Sequence, residues 1–171
     1  ARPYQLEAER AIFNEWASGN NRTLLVLPTG TGKTVVFANV AKQCVQNGER
    51  VLVLAHRGEL LEQAADKILK FTGLMCATEK AEGSWYRITV GSVQSLQREK
   101  RLEQFDSDYF DAIIIDEAHH CLSDGYQRVL EHFGDAHVLG VTATPDRGDM
   151  RNLGTYFDSL AYEYTLPQAI K

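Results

Sequence analysis

Long apolar runs are absent from this sequence of 171 residues. The most apolar runs, Leu24 to Leu27 and Ala112 to Ile115, are far shorter than the roughly 20 residues that a membrane-spanning helix needs. The segment from Ala1 to Gln5 also lacks the apolar core of a secretory signal. These absences argue against a membrane protein, and we expect a cytoplasmic one.

Cysteine is scarce, with three residues in the whole chain. Cys44, Cys76 and Cys121 cannot all pair with one another, and no two of them have the C-x-x-C spacing of many metal and redox sites. A reduced compartment is the default for such a chain. We therefore predict structural thiols rather than a disulfide framework, a metal centre or a redox pair.

An excess of positive charge is absent too. The chain has 18 Lys and Arg against 23 Asp and Glu, a formal net charge of −5, whereas nucleic-acid binders usually carry a basic surface. Residues 1–60 hold 7 basic against 5 acidic side chains, and the remaining residues hold 11 against 18. A polyanion site is therefore expected mainly on elements from the first third, although the difference in charge is small.

The sequence does contain a regular alternation of short apolar segments and longer amphipathic ones. Its hydrophobic content of 44% and charged content of 24% are those of a globular domain and argue against disorder. We predict strands at 23–27, 51–55, 75–78, 87–90, 112–115, 138–141 and 162–165, and helices from residue 3 to a stop at Gly19 and at 33–47, about 59–71, 92–101 and 126–133. This alternation predicts an α/β domain in which helices cover both faces of a mostly parallel sheet.

A glycine-rich loop, Leu27 to Thr34, separates the first predicted strand from the second helix. Gly30 and Gly32 allow backbone N–H groups to turn towards a phosphate, and the helix N-terminus attracts the anion. Lys33 supplies a charge for the terminal phosphates, and the Thr34 hydroxyl suits Mg²⁺. The strict phosphate-loop pattern has glycine where this chain has Leu27, so a glycine-rich turn without a ligand is the alternative. We predict a nucleotide site formed by Thr29, Gly30, Thr31, Gly32, Lys33 and Thr34.

Two carboxylates, Asp116 and Glu117, follow the buried run Ile113 to Ile115. In open α/β sheets, ligands bind at the carboxyl ends of the strands. Asp116 can hold magnesium there, and Glu117 can orient or deprotonate an attacking water. The alternative is that the two acids only begin a solvated loop, but the phosphate loop in the same chain makes that alternative the weaker one.

Six segments, in order, resemble the motifs of superfamily 2 helicases. Residues 116–119 read Asp-Glu-Ala-His, and with the phosphate loop they are similar to the first RecA-like domain of that superfamily. The resemblance extends to Arg2-Pro3-Tyr4-Gln5, Ala55 to Leu60, Thr89 to Leu96 and Thr142-Ala143-Thr144-Pro145. It covers nearly the whole chain, from about Arg2 to Arg147.

The resemblance implies a three-layer RecA-like fold of the P-loop NTPase class, with ATP and Mg²⁺ as cofactors. It implies that Gln5 recognises adenine and that Thr34 and Asp116 hold the metal. The residues that the resemblance implies as catalytic are Lys33, Asp116 and Glu117. It implies that His119, Thr142 and Thr144 couple hydrolysis to nucleic-acid binding. It implies that nucleic acid is contacted by Arg57, Gly91, Ser92 and Gln94.

Details of two motifs point to one branch of the superfamily. The patterns T-A-T-P-x-R and A-H-R-x-E-L are most similar to the type III restriction subunits and their DNA-repair relatives. DNA is therefore the expected partner, with RNA as the alternative. We expect residues 1–166 to form the ATP-binding RecA-like domain and residues 167–171 to begin a connection to a second RecA-like domain. That domain, which supplies arginine fingers in the family, is absent from this chain and is expected to be needed for full activity.

Two functions of different classes remain open at this point. The first is an enzyme, the motor domain of a nucleic-acid-dependent ATPase, helicase or translocase. The second is a RecA-like module of a restriction or repair complex that binds nucleotide or a partner without hydrolysis. Glu117 favours the enzyme, because a module that does not hydrolyse ATP would not need a carboxylate that activates water.

Overall fold

The computed structural model describes residues 2–28, 32–55, 61–78, 86–120, 124–143 and 145–164, without the side chain of His120. Its strands are β1 Arg22–Val26, β2 Val51–Leu54, β3 Cys76–Thr78, β4 Ile88–Gly91, β5 Ala112–Asp116, β6 His137–Thr142 and β7 Ser159–Glu163. Its helices are α1 Pro3–Ala17, α2 Lys33–Gln46, α3 Leu61–Thr72, α4 Val93–Leu96, α5 Glu99–Leu102, α6 Asp124–His132 and α7 Arg147–Tyr156, with one 3₁₀ turn at Ala118–His120.

The seven strands form one sheet in the order β3-β4-β2-β5-β6-β1-β7. Every strand pair in it is parallel, which confirms the predicted α/β fold with a parallel sheet. The order places β5, β6 and β1 side by side. Asp116 and Thr142, the last residues of β5 and β6, therefore reach the same edge of the sheet as the loop that follows β1.

Helices cover both faces of the sheet and bury two apolar cores. Successive strand residues point to opposite faces, so Leu25 and Val53 pack with α1, α2 and α3, whereas Leu24 and Leu52 pack with α4 to α7. Full burial of one such side chain is worth about 1.5–3 kcal/mol. This two-sided burial explains why the strands read as continuous apolar runs without polar alternation.

Helix α1 begins where proline fixes the backbone. Pro3 is its first residue, a position where the missing N–H costs no helical hydrogen bond. The backbone N–H of Arg2 donates to the Gln5 side-chain Oε1 at 2.9 Å, which anchors the first turn. The other end of the helix is held by Trp16, which is buried and donates from Nε1 to the carbonyl of Val138 at 3.3 Å.

Two predicted elements differ clearly from the structure, and one helix was not predicted. The helix predicted at 92–101 is two short helices, because Arg98 is extended and caps α5. The last strand begins at Ser159 rather than Tyr162, and Thr165 lies outside the described residues. Helix α7 was not predicted at all. Asp146 caps it by accepting the Asp149 N–H at 2.7 Å, but its glycines and asparagine are weak helix formers.

Neither of the described cysteines, Cys44 and Cys76, forms a disulfide. Burial raises the pKa of each of these thiols to about 12, so both stay protonated and unreactive at neutral pH. Cys121 lies outside the described residues. Within the part of the chain that the structure describes, no helix combines the length and apolar character that crossing a bilayer requires.

Candidate active site

The candidate site lies at the carboxyl edge of β1, β6 and β5. Val26 lies opposite Thr142 in the β1–β6 pair, and Asp116 lies opposite Val141 in the β5–β6 pair. The backbone N–H of Leu27 donates to the Thr142 carbonyl at 3.0 Å, so the chain that leaves β1 stays fixed to β6. Parallel pairing thus brings together segments that are about 25 to 115 residues apart in sequence.

Helix α2 starts next to the amide of Gln5. Gly32 precedes Lys33 with a φ of +83°, a left-handed conformation that glycine adopts without a Cβ clash. A Cβ at Gly32 would collide with the Nε2 atom of Gln5. Gln5 itself is only 5% exposed. The residue predicted to recognise adenine therefore lies against the last glycine of the phosphate loop.

The amino group of Lys33 lies between two carboxylates. Its Nζ atom donates to Glu117 Oε1 at 2.5 Å and lies 3.4 Å from Asp116 Oδ1. Burial opposes the positive charge of Lys33, but the hydrogen bond to Glu117 and the charges of Asp116 and Glu117 outweigh that effect and raise its pKa. The three predicted catalytic residues are thus in contact, and the lysine is fully charged at neutral pH.

The backbone at Glu117 is left-handed, with a φ of +54°. Its N–H donates to the side-chain Oδ1 of Asp116 at 3.0 Å, which supports the turn. A non-glycine residue in this region costs roughly 1–2 kcal/mol, and such outliers cluster at functional sites. The turn directs the Glu117 side chain back towards Lys33.

His119 connects these carboxylates to the end of β6. Its Nδ1 atom lies 3.0 Å from the Thr142 hydroxyl and 3.6 Å from Glu117 Oε2. Thr142 is completely buried. Two of the predicted coupling residues, His119 and Thr142, are therefore in contact, and a continuous chain of polar contacts runs from Lys33 through Glu117 to Thr142. The third, Thr144, lies outside the described residues.

A small cleft beside these polar contacts contains two oxygen donors for a metal ion. Thr34 and Asp116 both line it, together with Lys67 from α3. Among the described residues, no three histidine, cysteine, aspartate or glutamate side chains gather as a metal cluster. A hydroxyl and one carboxylate suit Mg²⁺, which keeps several waters and takes further oxygens from phosphates.

The described nucleic-acid candidates, Gly91, Ser92 and Gln94, lie at the end of β4 and the start of α4, next to the end of β2. The Ala55 N–H donates to the carbonyl of Gly91 at 2.9 Å, so the two strand ends are adjacent. The Ser92 hydroxyl accepts the Ser95 N–H at 3.3 Å as the cap of α4, and Gln94 is exposed. Arg57 lies outside the described residues, as do Thr29, Gly30 and Thr31 of the phosphate loop.

Two features of the site were not predicted from the sequence. One is the ion pair between Lys33 and Glu117, which are 84 residues apart. The other is Lys67 in the cleft with Thr34 and Asp116. The strong amphipathic pattern of residues 59–71 indicates a helix, but it does not reveal that the Lys67 side chain reaches this edge of the sheet.

Comparisons with known proteins agree on one family. The family described as "Type III restriction enzyme, res subunit" matches residues 1–147. The chain is 36% identical over 99% of its length to irc3 of Schizosaccharomyces pombe, which its name assigns to mitochondrial ATP-dependent helicases, and it spans 30% of that protein.

Solved structures share the fold. The UvsW helicase of bacteriophage T4 matches 92% of this chain and 59% of its own, with a TM-score of 0.70 and 18% identity. The SWI2/SNF2 ATPase core of Sulfolobus solfataricus, solved with double-stranded DNA, matches 92% of this chain and 35% of its own, with a TM-score of 0.68 and 19% identity.

Proposed function

The chain belongs to the family of the type III restriction enzyme res subunit and has the RecA-like fold of superfamily 2 helicases, and from this premise we propose that it hydrolyses ATP with Mg²⁺ and couples hydrolysis to movement along DNA. The ATPase and helicase class follows from relatives such as irc3. The Mg²⁺ dependence, the residue roles and the coupling to DNA are our proposals.

The observation that carries the proposal is the position of Lys33 between Asp116 and Glu117. A lysine that opens a helix after a glycine-rich turn is placed to bind terminal phosphates. Phosphate oxygens compete with Glu117 for the amino group of Lys33. ATP binding would therefore release Glu117 from the ion pair and leave its carboxylate available to a water molecule.

The Thr34 hydroxyl and the Asp116 carboxylate would hold Mg²⁺, since both line one cleft beside Lys33. When bound, Mg²⁺ would neutralise charge on the phosphate oxygens. Lys67, in the same cleft, adds positive charge to the metal-binding side of the site. These donors fit Mg²⁺ better than a transition metal, because they offer oxygen rather than nitrogen or sulfur.

Glu117 would orient the attacking water and accept its proton. The water oxygen forms a bond to the γ-phosphorus, the bond from that phosphorus to the β–γ bridging oxygen breaks, and the products are ADP and phosphate. Lys33 stabilises charge on the γ-phosphate during this step. His119, in contact with both Glu117 and Thr142, would transmit the state of the site to β6.

DNA is the partner that the relatives favour, with RNA as the alternative. The SWI2/SNF2 core of the same fold was solved with double-stranded DNA. On this chain, Gly91, Ser92 and Gln94 lie together at the end of β4 and the start of α4, where amides and hydroxyls can donate to phosphate oxygens without reading the base sequence. On the basis of their motifs alone, we assign Arg57 to the same nucleic-acid contact and Thr144 to the coupling of hydrolysis to nucleic-acid binding.

We propose that residues 1–166 form the first half of a two-domain motor and that residues 167–171 lead to the second. The chain spans less than a third of relatives such as irc3 and the EcoAI endonuclease subunit of Escherichia coli. A second RecA-like domain would supply an arginine finger, which typically contributes about 10³–10⁵ in rate. Turnover by this chain alone should therefore be slow.

Single-turnover phosphate release from radiolabelled Mg-ATP tests the proposal. The chain should release phosphate slowly. Glu117→Gln should bind ATP at least as tightly by calorimetry, because it removes the carboxylate charge that competes for Lys33, but it should release none. Glu131→Gln, on the exposed face of α6, is the matched control and should behave like the wild type.

Two results would decide against hydrolysis. ATP binding without any release above the Glu117→Gln level would favour the alternative, a module that binds nucleotide without turnover. An absence of ATP binding would contradict the enzyme and the nucleotide-binding module, and would leave only a module that binds a partner. Adding double-stranded DNA or single-stranded RNA to the same assay distinguishes the two nucleic acids as stimulators.

A further inference from the structure

Two tyrosines from opposite ends of the chain stack beside the candidate nucleotide site. Tyr4 lies in the first turn of α1, and Tyr164 follows β7. Their ring centroids are 4.2 Å apart and their planes differ by 13°. Tyr162 continues the column, with its ring 6.4 Å from that of Tyr164 and an interplanar angle of 14°. All three rings are half-buried.

Tyr164 is fixed to the strand that leads into the phosphate loop. Its backbone N–H donates to the carbonyl of Val26, the last residue of β1, at 3.0 Å. β7 pairs with β1 along its length, so the Tyr164 ring has a firm base at the rim of the site. Tyr4 packs on this ring, and the Arg2 guanidinium also contacts it, with Nη1 3.3 Å from the Tyr4 hydroxyl.

The stack also affects the position of Gln5, because Gln5 is the next residue after Tyr4. Gln5 is held from two sides, since its Oε1 accepts the Arg2 N–H and its Nε2 lies against Gly32. A rotation of the first turn of α1 would move this amide away from Gly32. The Tyr164 ring opposes that rotation, because it packs flat against Tyr4.

We propose that Tyr164 is a positioning residue for base selection, which it controls by stacking on Tyr4 and thereby fixing the Gln5 amide. The proposal rests on the proposed ATP-binding function and adds a residue outside the motifs found in the sequence.

Competition between ATP and GTP for displacement of the fluorescent probe mant-ATP tests this role. The wild type should prefer ATP. Tyr164→Ala and Tyr164→Leu should reduce the ATP-to-GTP preference by about three- to ten-fold, the effect expected for the loss of one aromatic pair. The reduction should come mainly from weaker ATP binding. Tyr164→Phe, which keeps the ring, should retain the preference. Leu160→Ala, exposed on β7, is the matched control and should stay within about two-fold of the wild type.

Near-ultraviolet circular dichroism reports the stack without nucleotide and shows whether each variant is folded. Tyr164→Leu keeps apolar bulk and remains the test if Tyr164→Ala unfolds. Equal loss of ATP and GTP affinity, or an unchanged preference in a folded Tyr164→Leu protein, would overturn the positioning role. A wild type that binds both nucleotides equally would overturn it as well while leaving ATP hydrolysis intact. A wild type that binds neither nucleotide would overturn the proposed function too.

Discussion

The imidazole Nδ1 of His119, in the 3₁₀ turn after β5, lies 3.0 Å from the hydroxyl of Thr142 at the end of the neighbouring strand β6. Thr142 also accepts the Leu27 N–H through its carbonyl. One buried threonine thus contacts both the segment that contains Glu117 and the start of the phosphate loop. The hydroxyl contact with His119 gives a physical reason for a threonine here, whereas the carbonyl that accepts the Leu27 N–H would be present in any residue.

The His119–Thr142 contact should be measurable as a coupling energy. We expect Thr142→Val and His119→Ala each to destabilise the fold, and the double variant to be less destabilised than the sum of the two, by about 0.5–1.5 kcal/mol. Urea unfolding of the wild type, the two single variants and the double variant measures this coupling energy. Strict additivity would mean that the contact carries no energy and would remove it from the proposed coupling route.

Lys33 should be required for nucleotide binding and not for folding. We expect Lys33→Ala to weaken Mg-ATP binding by about 1.5–3 kcal/mol, the range for hydrogen bonds to charged groups. Lys42→Ala, on the same helix α2, should bind like the wild type. Isothermal titration calorimetry measures both, and equal affinities for Lys33→Ala and the wild type would contradict the nucleotide site.

Two glycines with the same backbone conformation allow strain to be separated from function. Gly32 and Gly48 have φ angles of +83° and +82°, and a Cβ would collide with Gln5 at the first and meet nothing within 4 Å at the second. Alanine at either should cost roughly 1–2 kcal/mol of folding stability. Only Gly32→Ala should also abolish ATP binding and ATP preference. If both variants lost ATP binding, the cause would be reduced folding stability and not the collision with Gln5.

The strands and the first helices could be predicted because each depends on a local pattern. The run Ile113 to Ile115 fits a strand covered on both faces, and Pro3 suits the first turn of a helix. The contacts of the site could not be predicted in the same way. The ion pair of Lys33 with Glu117 depends on the strand order β5-β6-β1, which no local pattern contains.

Helix α7 was missed for a different reason. Gly148, Asn152 and Gly154 give its ten residues a low helix propensity, and tertiary contacts compensate. Leu153 is fully buried, and the helix packs on the 3₁₀ turn that contains His119. The sequence did contain one signal for this helix, its N-terminal cap. Asp146 stands three residues before Asp149, and its side chain can accept the backbone N–H of Asp149.

Gly140 in β6 should tolerate no side chain. A Cβ there would lie 2.5 Å from Cζ of Phe157 and 3.0 Å from Cβ of Ala118. We expect Gly140→Ala to cost about 1–3 kcal/mol of folding stability through overpacking. The double variant with Phe157→Leu should regain part of that stability. Gly154→Ala, with nothing within 4 Å, should instead gain about 0.5–1 kcal/mol. Thermal unfolding compares the variants, and a neutral Gly140→Ala would contradict the packing.

Glu9 is a carboxyl buried between α1 and α2, one turn after Gln5. It is 4% exposed, and its Oε1 atom has no hydrogen-bond partner among the described residues. Burial raises the pKa of Glu9, and a hydrogen bond from Asn39 opposes that rise only in part. The folded protein therefore binds this proton more tightly than the unfolded chain does, so ionisation of Glu9 weakens folding.

The stability contributed by protonated Glu9 should be complete below the ordinary glutamate pKa of about 4.3 and be lost as the pH rises through the raised folded value. We expect Glu9→Gln, which keeps the shape and abolishes the charge, to be more stable than the wild type at pH 7, on the order of 1 kcal/mol, the cost scale of a buried unpaired polar group. The difference should shrink towards zero below pH 4. Glu7→Gln, exposed on the same helix, is the control and should change stability by less than about 0.5 kcal/mol at either pH. Urea unfolding at both pH values measures this, and a Glu9→Gln variant less stable than the wild type at pH 7 would show that the ionised carboxylate is well satisfied in the folded state.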